Sequence, residues 1–242
     1  MGVNRHYPSG VINPHQMSLT TGSEKMSDYF DLERIIHGKR HETPFQWGEL
    51  TQIWRNSSIA STLAHEFPTD GFNYRERNGG YFYRRTLIPL ATGKVSDTTT
   101  LSAAWQGMCG ELVSDAFTAA LSAFCGTDLS EFKMEAVAFR GGRDTHYLPH
   151  VDASLTRGFR LIIYFNGEWE ESWGGAFQIL NPENHADVCH SVLPIMGNAS
   201  VIIRNGYYET WHAVVPLTGV SVKTRNALNI TYYEPGTTST AQ

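Results

Sequence analysis

The chain is poor in cysteine, in excess positive charge and in long apolar runs, and each shortage removes a class of protein. Its three cysteines, Cys109, Cys125 and Cys189, stand far apart with no Cys-x-x-Cys spacing. That pattern excludes a disulfide framework and reads as free thiols in a reducing compartment, so the expected location is cytoplasmic. Cys189-His190, with His185 upstream, lacks the second cysteine that a structural zinc cluster of this kind would use. No apolar run approaches the ~20 residues of a transmembrane helix, and the N-terminus shows no basic segment followed by an apolar one. Neither a membrane span nor a secretory signal is expected. The formal charge of -5 argues against nonspecific nucleic-acid binding, which uses a basic surface to displace counterions.

What is present is the composition of a folded protein: 41% hydrophobic, 12% aromatic and 18% charged residues in a chain of 242. Such a length suits one domain with a real core. Residues 1–26 are polar, carry Pro8 and Pro14, and read as a mobile arm. Residues 27–234 read as a single domain, with 27–130 forming helical support and substrate-side elements and 131–234 a β core. Residues 235–242 read as a flexible tail. Helices are expected from Ser27-Asp28 through Ile36, from Trp47 to Phe67, and from Thr98 to Cys125, the last closed by Gly126. Tyr81 to Pro89 reads as a strand. After Asp128 come short strands at 132–139, 146–152, 159–165, 176–180, 200–204, 210–216 and 227–233, with no helix between them. This succession argues for an antiparallel sandwich or barrel buttressed by helices, mainly β within an α+β class.

Within it, His146-Tyr147-Leu148-Pro149-His150-Val151-Asp152 offers a divalent metal two side chains from one short segment. In extended backbone, residues i and i+2 share a face, so His150 and Asp152 converge while Val151 turns away. Two imidazoles and a carboxylate with open positions are the ligand set of non-haem Fe(II). Of the remaining histidines, His212 alone has a strand to hold it. Arg225 follows thirteen residues later, at the start of the last strand, where a guanidinium can meet a carboxylate through two parallel hydrogen bonds.

The order His150-x-Asp152, His212, Arg225, together with Arg160-Leu-Ile-Ile-Tyr164-Phe-Asn166-Gly-Glu-Trp169 and Gly174-Gly175, resembles the Fe(II)/2-oxoglutarate dioxygenase superfamily, in its prolyl-hydroxylase-like branch. The likeness spans about Glu135 to Tyr233 and implies a distorted double-stranded β-helix, a jelly roll of the cupin kind. It implies that His150, Asp152 and His212 are the metal ligands and catalytic centre. Arg225 would bind the distal carboxylate of 2-oxoglutarate, with Tyr164 hydrogen-bonding the same group or simply filling the barrel. Where relatives often place another cosubstrate-binding tyrosine, this chain has Arg140, which would meet 2-oxoglutarate, the substrate or solvent. Asp152 stands where related halogenases carry a small residue, which favours hydroxylation. The implied cofactors are Fe(II), 2-oxoglutarate and O2, with ascorbate a candidate reductant.

The substrate expected is a small molecule, a free amino acid or specialised metabolite, because the short chain carries no recognisable peptide-binding module. A peptidyl or protein prolyl hydroxylase and a catalytically silent cupin-like binding module are the alternatives. Trp47, Trp54, Tyr83, Arg84, Arg85 and Trp173 are candidates for the pocket or its lid.

Overall fold

The computed structural model describes residues 27–77, 80–143, 145–152, 157–207, 209–218 and 224–237. The expected arm at 1–26 and most of the expected tail lie outside these residues. Among these residues the α-helices are α1 (Leu32–Ile36), α2 (Ser57–His65), α3 (Ala103–Leu112) and α4 (Asp115–Cys125). The strands are β1 (Lys39–His41), β2 (Trp47–Thr51), β3 (Asn73–Arg77), β4 (Gly80–Ile88), β5 (Lys133–Gly141) and β6 (Tyr147–His150), then β7 (Gly158–Tyr164), β8 (Phe177–Asn181), β9 (Asn184–Val192), β10 (Asn198–Asn205), β11 (His212–Val214) and β12 (Arg225–Tyr233). They form an eight-stranded sheet in the order β1-β2-β10-β7-β12-β5-β4-β3 and a four-stranded sheet in the order β6-β11-β8-β9. Every pairing within both sheets is antiparallel. This is the double-stranded β-helix, with helices applied to one side.

Strand alternation divides the large sheet into two working faces. Phe159, Leu161 and Ile163 of β7, with Leu228, Ile230 and Tyr232 of β12, turn to the helices and join Trp105, Phe117, Leu121 and Phe124 in one core. Ile162, Tyr164 and Ala227 turn the other way and pack with Phe177, Ile179 and Val214 of the small sheet. The helical layer therefore seals one face and leaves the space between the sheets for chemistry.

Several elements differ from expectation. Trp47 to Thr51 is a strand, not the first turns of a helix, because it pairs with β1 on one side and β10 on the other. The helix starts only at Ser57, where the Asn56 side chain accepts from the Ile59 N–H at 2.9 Å. The expected helix from 98 to 125 begins at Ala103 and is broken between α3 and α4, which meet at 56°. Ser114 causes the break by capping α4 through the Phe117 N–H, while Gly126 ends that helix in the left-handed conformation. β3 and β9 were not expected, and His185 and His190 thus lie on a strand instead of in a loop. Among the described residues no single helix is long and apolar enough to cross a membrane.

Candidate metal and cosubstrate site

β6 and β11 lie side by side in the small sheet, and their register sets His150 directly opposite His212. The two imidazole centroids are 4.4 Å apart. Asp152, two residues beyond His150, brings its carboxylate to 4.0 Å from His212 Nε2. One ligand atom from each of His150, Asp152 and His212 falls within 4.8 Å of the others, a spacing that one metal ion can bridge.

The histidine protons are arranged to suit that use. His150 Nδ1 donates to the Leu148 carbonyl at 2.7 Å, and His212 Nδ1 donates to the Thr210 carbonyl at 2.8 Å. Because a carbonyl can only accept, each Nδ1 carries a proton, and in the neutral ring Nε2 then keeps its lone pair, the tautomer a metal requires. Burial pushes the His212 imidazole down to about 4, outweighing the opposite pull of Asp152, so the ring is neutral at ordinary pH. This donor set, two imidazoles and one carboxylate, fits Fe(II).

Arg160, which sequence reasoning passed over, forms an ion pair with Asp152 through Nη1 and donates from Nε to Thr231 Oγ1 at 3.2 Å. Such a partner fixes a ligating carboxylate in orientation. Its signal was available, since Arg160 shares the parity of Ile162 and Tyr164 along β7.

At the other end of the pocket, Arg225 is 8% exposed. Its Nε donates to the Gly175 carbonyl at 2.7 Å, and its guanidinium carbon sits 5.2 Å from the centre of the Tyr164 ring. Among the described residues no carboxylate forms an ion pair with it, so the site has a buried cation suited to an incoming anion. In the same pocket Thr145 Oγ1 is buried with no hydrogen-bond partner among the described residues, and Arg225 pairs across the sheet with Gly141, against which Thr145 packs. A buried guanidinium and an orphaned hydroxyl together fit a carboxylate such as that of 2-oxoglutarate.

The sequence phrases around Arg225 make a scaffold for it. Asn166 clamps the strand by accepting from the Asn226 N–H at 2.8 Å and donating to the Asn226 carbonyl at 3.1 Å. Trp169 donates from Nε1 to the Gly174 carbonyl. Gly175 must be glycine: its φ is +75°, and a Cβ would lie 2.7 Å from Leu217 and 3.3 Å from Arg225 Cδ.

Arg140 does not join this group as a cosubstrate ligand. It borders the pocket, but strand alternation turns its side chain away from Phe139 and Gly141, and its guanidinium donates to the Thr69 carbonyl and lies over the Phe72 ring. Of the six candidate pocket or lid residues, Arg84 alone lines the cavity. Arg85 faces the helices, bonded to the Asp70 carbonyl and paired with Asp97. Trp47 and Trp54 are packed in the core, Tyr83 is exposed on the outer face, and Trp173 rests edge-on against Trp169.

A double-stranded β-helix with a histidine and carboxylate cluster facing a buried arginine defines a class, the cupin-like metal oxygenases. Residues 134–233 match the family model of the 2OG-Fe(II) oxygenase superfamily. No curated protein sequence matches the chain. Among solved structures, a Pseudomonas putida prolyl-4-hydroxylase is similar at 17% identity, covering 78% of this chain and 92% of its own, with a TM-score of 0.57. A Burkholderia pseudomallei oxidoreductase of the 2OG-Fe(II) oxygenase family is similar at 14% identity, covering 79% and 86%, with a TM-score of 0.55. A Trichoplax adhaerens prolyl hydroxylase, solved with a hypoxia inducible factor peptide, is similar at 15% identity, covering 77% and 83%, with a TM-score of 0.56. The domain is that of a dioxygenase, with Fe(II), 2-oxoglutarate and O2 as the family's reactants.

Proposed function

We propose that this chain hydroxylates an unactivated C–H bond of a small molecule, with His150, Asp152 and His212 holding Fe(II) and with Arg225 and Tyr164 holding 2-oxoglutarate. The observation that carries the reading is the pairing, within one pocket, of a three-ligand cluster whose imidazoles both present Nε2 with a buried arginine that has no acidic partner among the described residues. Bound there, Fe(II) and 2-oxoglutarate supply the oxidation of substrate by O2, with 2-oxoglutarate leaving as succinate and CO2.

The protein's own part is position and exclusion of water. Leu148 and Thr210 carbonyls hold the imidazole tautomers, Arg160 holds the carboxylate, and the guanidinium of Arg225 with the Thr145 hydroxyl receives the distal carboxylate. A small molecule is favoured over a peptide because the polar groups beyond the ligand cluster are deep: Glu135, Thr231 and Tyr233 are each 5% exposed or less. A peptide lying across the surface would read rim residues instead. Succinate formation under air with Fe(II), 2-oxoglutarate and ascorbate tests this against pools of amino acids, other metabolites and proline-rich peptides. Stimulation by a metabolite pool supports the reading. Stimulation by the peptides alone replaces the small molecule with a prolyl peptide, and failure to bind iron or 2-oxoglutarate returns the chain to a silent binding module.

A further inference from the structure

Along the inner face of β12, Arg225 donates to the Gly175 carbonyl, Thr231 accepts from Arg160, and the Tyr233 hydroxyl donates to Glu135 at 2.9 Å. Asn229 stands between Arg225 and Thr231 on the same face and lines the pocket. Its side chain makes no hydrogen bond among the described residues. Its register partners are Val137 on β5 and Ile162 on β7, so an amide with two donor hydrogens and an acceptor oxygen sits in an otherwise apolar row. A half-buried amide left unpaired costs stability that a ligand can return.

The place of this row identifies the ligand. Thr231, one row further along, is tied to Arg160 and through it to the metal ligand Asp152. In the other direction the Arg225 guanidinium lies over the ring of Tyr164, which pairs with Ala227 one row back from Asn229. Rows on one face of a strand are ~6.6 Å apart, so Asn229 stands between the anion anchor and the row that reaches the metal cluster. At ~1.5 Å per bond a five-carbon diacid measures roughly 5 Å between its terminal carbons. Held at one carboxylate by Arg225, it brings the other to the Asn229 row.

We propose that Asn229 Nδ2 donates to the metal-side carboxylate of 2-oxoglutarate, a contact additional to those of Arg225 and Thr145 at the distal end. The inference rests on the oxygenase reading above and adds a binding residue to the same site. A 2-oxo acid chelates a divalent cation through its oxo oxygen and one carboxylate oxygen, which leaves the second carboxylate oxygen as an acceptor. The amide supplies its donor. Being neutral, the amide does not repel the neighbouring cation as another guanidinium would. Val137 and Ile162, both 6% exposed, keep water from competing for that oxygen.

Calorimetry under argon, with the full chain, Fe(II) and no substrate, measures 2-oxoglutarate binding by itself. Asn229→Leu, which keeps the volume and removes the donor, is expected to weaken binding about tenfold with iron content unchanged. Asn229→Asp, of the same shape but carrying the carboxylate's own sign of charge, is expected to bind more weakly still, and Asn229→Gln to recover part of the loss. Without 2-oxoglutarate, the urea midpoint of Asn229→Leu should equal or exceed that of the wild type, since the fold gives up no hydrogen bond; a structural role would lower it. Should leucine not fit, Asn229→Ala is expected to show the same loss of affinity. Unchanged affinity in the folded variants, the result expected if the amide served the substrate instead, would overturn the assignment. So would a loss of affinity accompanied by loss of iron or by a lower midpoint. Failure of the oxygenase reading is visible separately, as absence of 2-oxoglutarate binding to the iron-loaded wild-type chain, and it would overturn this assignment as well.

Discussion

A guanidinium buried without a carboxylate beside it is costly unless a ligand completes it, and among the described residues Arg225 is in that condition, held by the Gly175 carbonyl and the Tyr164 ring. Arg225→Ala removes a charge-assisted pair worth about 1.5–3 kcal/mol. Calorimetry should therefore find 2-oxoglutarate bound roughly ten- to a hundredfold more weakly, with iron content unchanged. His150→Ala or His212→Ala is expected to do the reverse, emptying the protein of iron on dialysis; full iron in both variants would sink the ligand assignment. These residues were readable from the sequence because residue type and strand parity alone put His150 and Asp152 together and gave His212 a strand. Glu135 was not. In Lys133-Met-Glu-Ala-Val an isolated glutamate reads as a solvated strand position, and only the pairing of Thr231 with Glu135, nearly a hundred residues away in the chain, turns it into the pocket. Arg140 shows the converse error: its place in the family phrase suggested a cosubstrate contact, whereas parity on β5 sends it to Thr69 and Phe72.

At the scale of elements, periodicity served where local sequence decides and failed where a distant partner does. The strands after Asp128 stand out because alternation feeds two cores, one under the helices and one between the sheets. β2 was hidden because Trp47, Leu50, Ile53 and Trp54 imitate a helical stripe. All four are buried, but as parts of a strand and the turn after it, and Trp47 faces the inter-sheet core while Leu50 and Ile53 face the helices. β9 was hidden for the opposite reason, since most of its residues are at least partly exposed and it lies at the sheet's edge. The break between α3 and α4 is the clearest case of a local signal overlooked. Ser114 accepts from the Phe117 N–H and donates to the Glu111 carbonyl at 2.7 Å, so its hydroxyl closes one helix and opens the next. Ser114→Ala is expected to cost about 1 kcal/mol, seen as a lower urea midpoint with unchanged slope. A change below the error of that measurement would mean the break is set by packing and not by the cap.

For the whole molecule, the sealed helical layer carries a consequence at high pH. Burial raises the thiols of Cys109 and Cys125 from 9.0 to about 12, and it raises the Tyr232 phenol from 10.0 to about 12 against the opposing hydrogen bond from Thr118. In the unfolded chain these groups lose their protons near their ordinary values, while the folded chain retains them. Between about pH 9 and 12 the native state therefore binds more protons than the unfolded one, and stability must fall as pH rises. It is fully present below pH 9. A tenfold difference in proton affinity between the folded and unfolded chain corresponds to about 1.4 kcal/mol, so three such groups together withdraw a sizeable part of the ~5–15 kcal/mol that holds a domain together. The chain is expected to unfold cooperatively before pH 12, with loss of tryptophan burial, because Trp105 shares a core with both cysteines. Cys109→Ala removes one of the titrating groups at the cost of a small cavity. Its neutral-pH stability should drop slightly while its alkaline midpoint moves upward, and that crossing of signs separates proton linkage from a simple packing defect. A variant that is weaker at every pH would show that the buried thiols do not govern the alkaline limit.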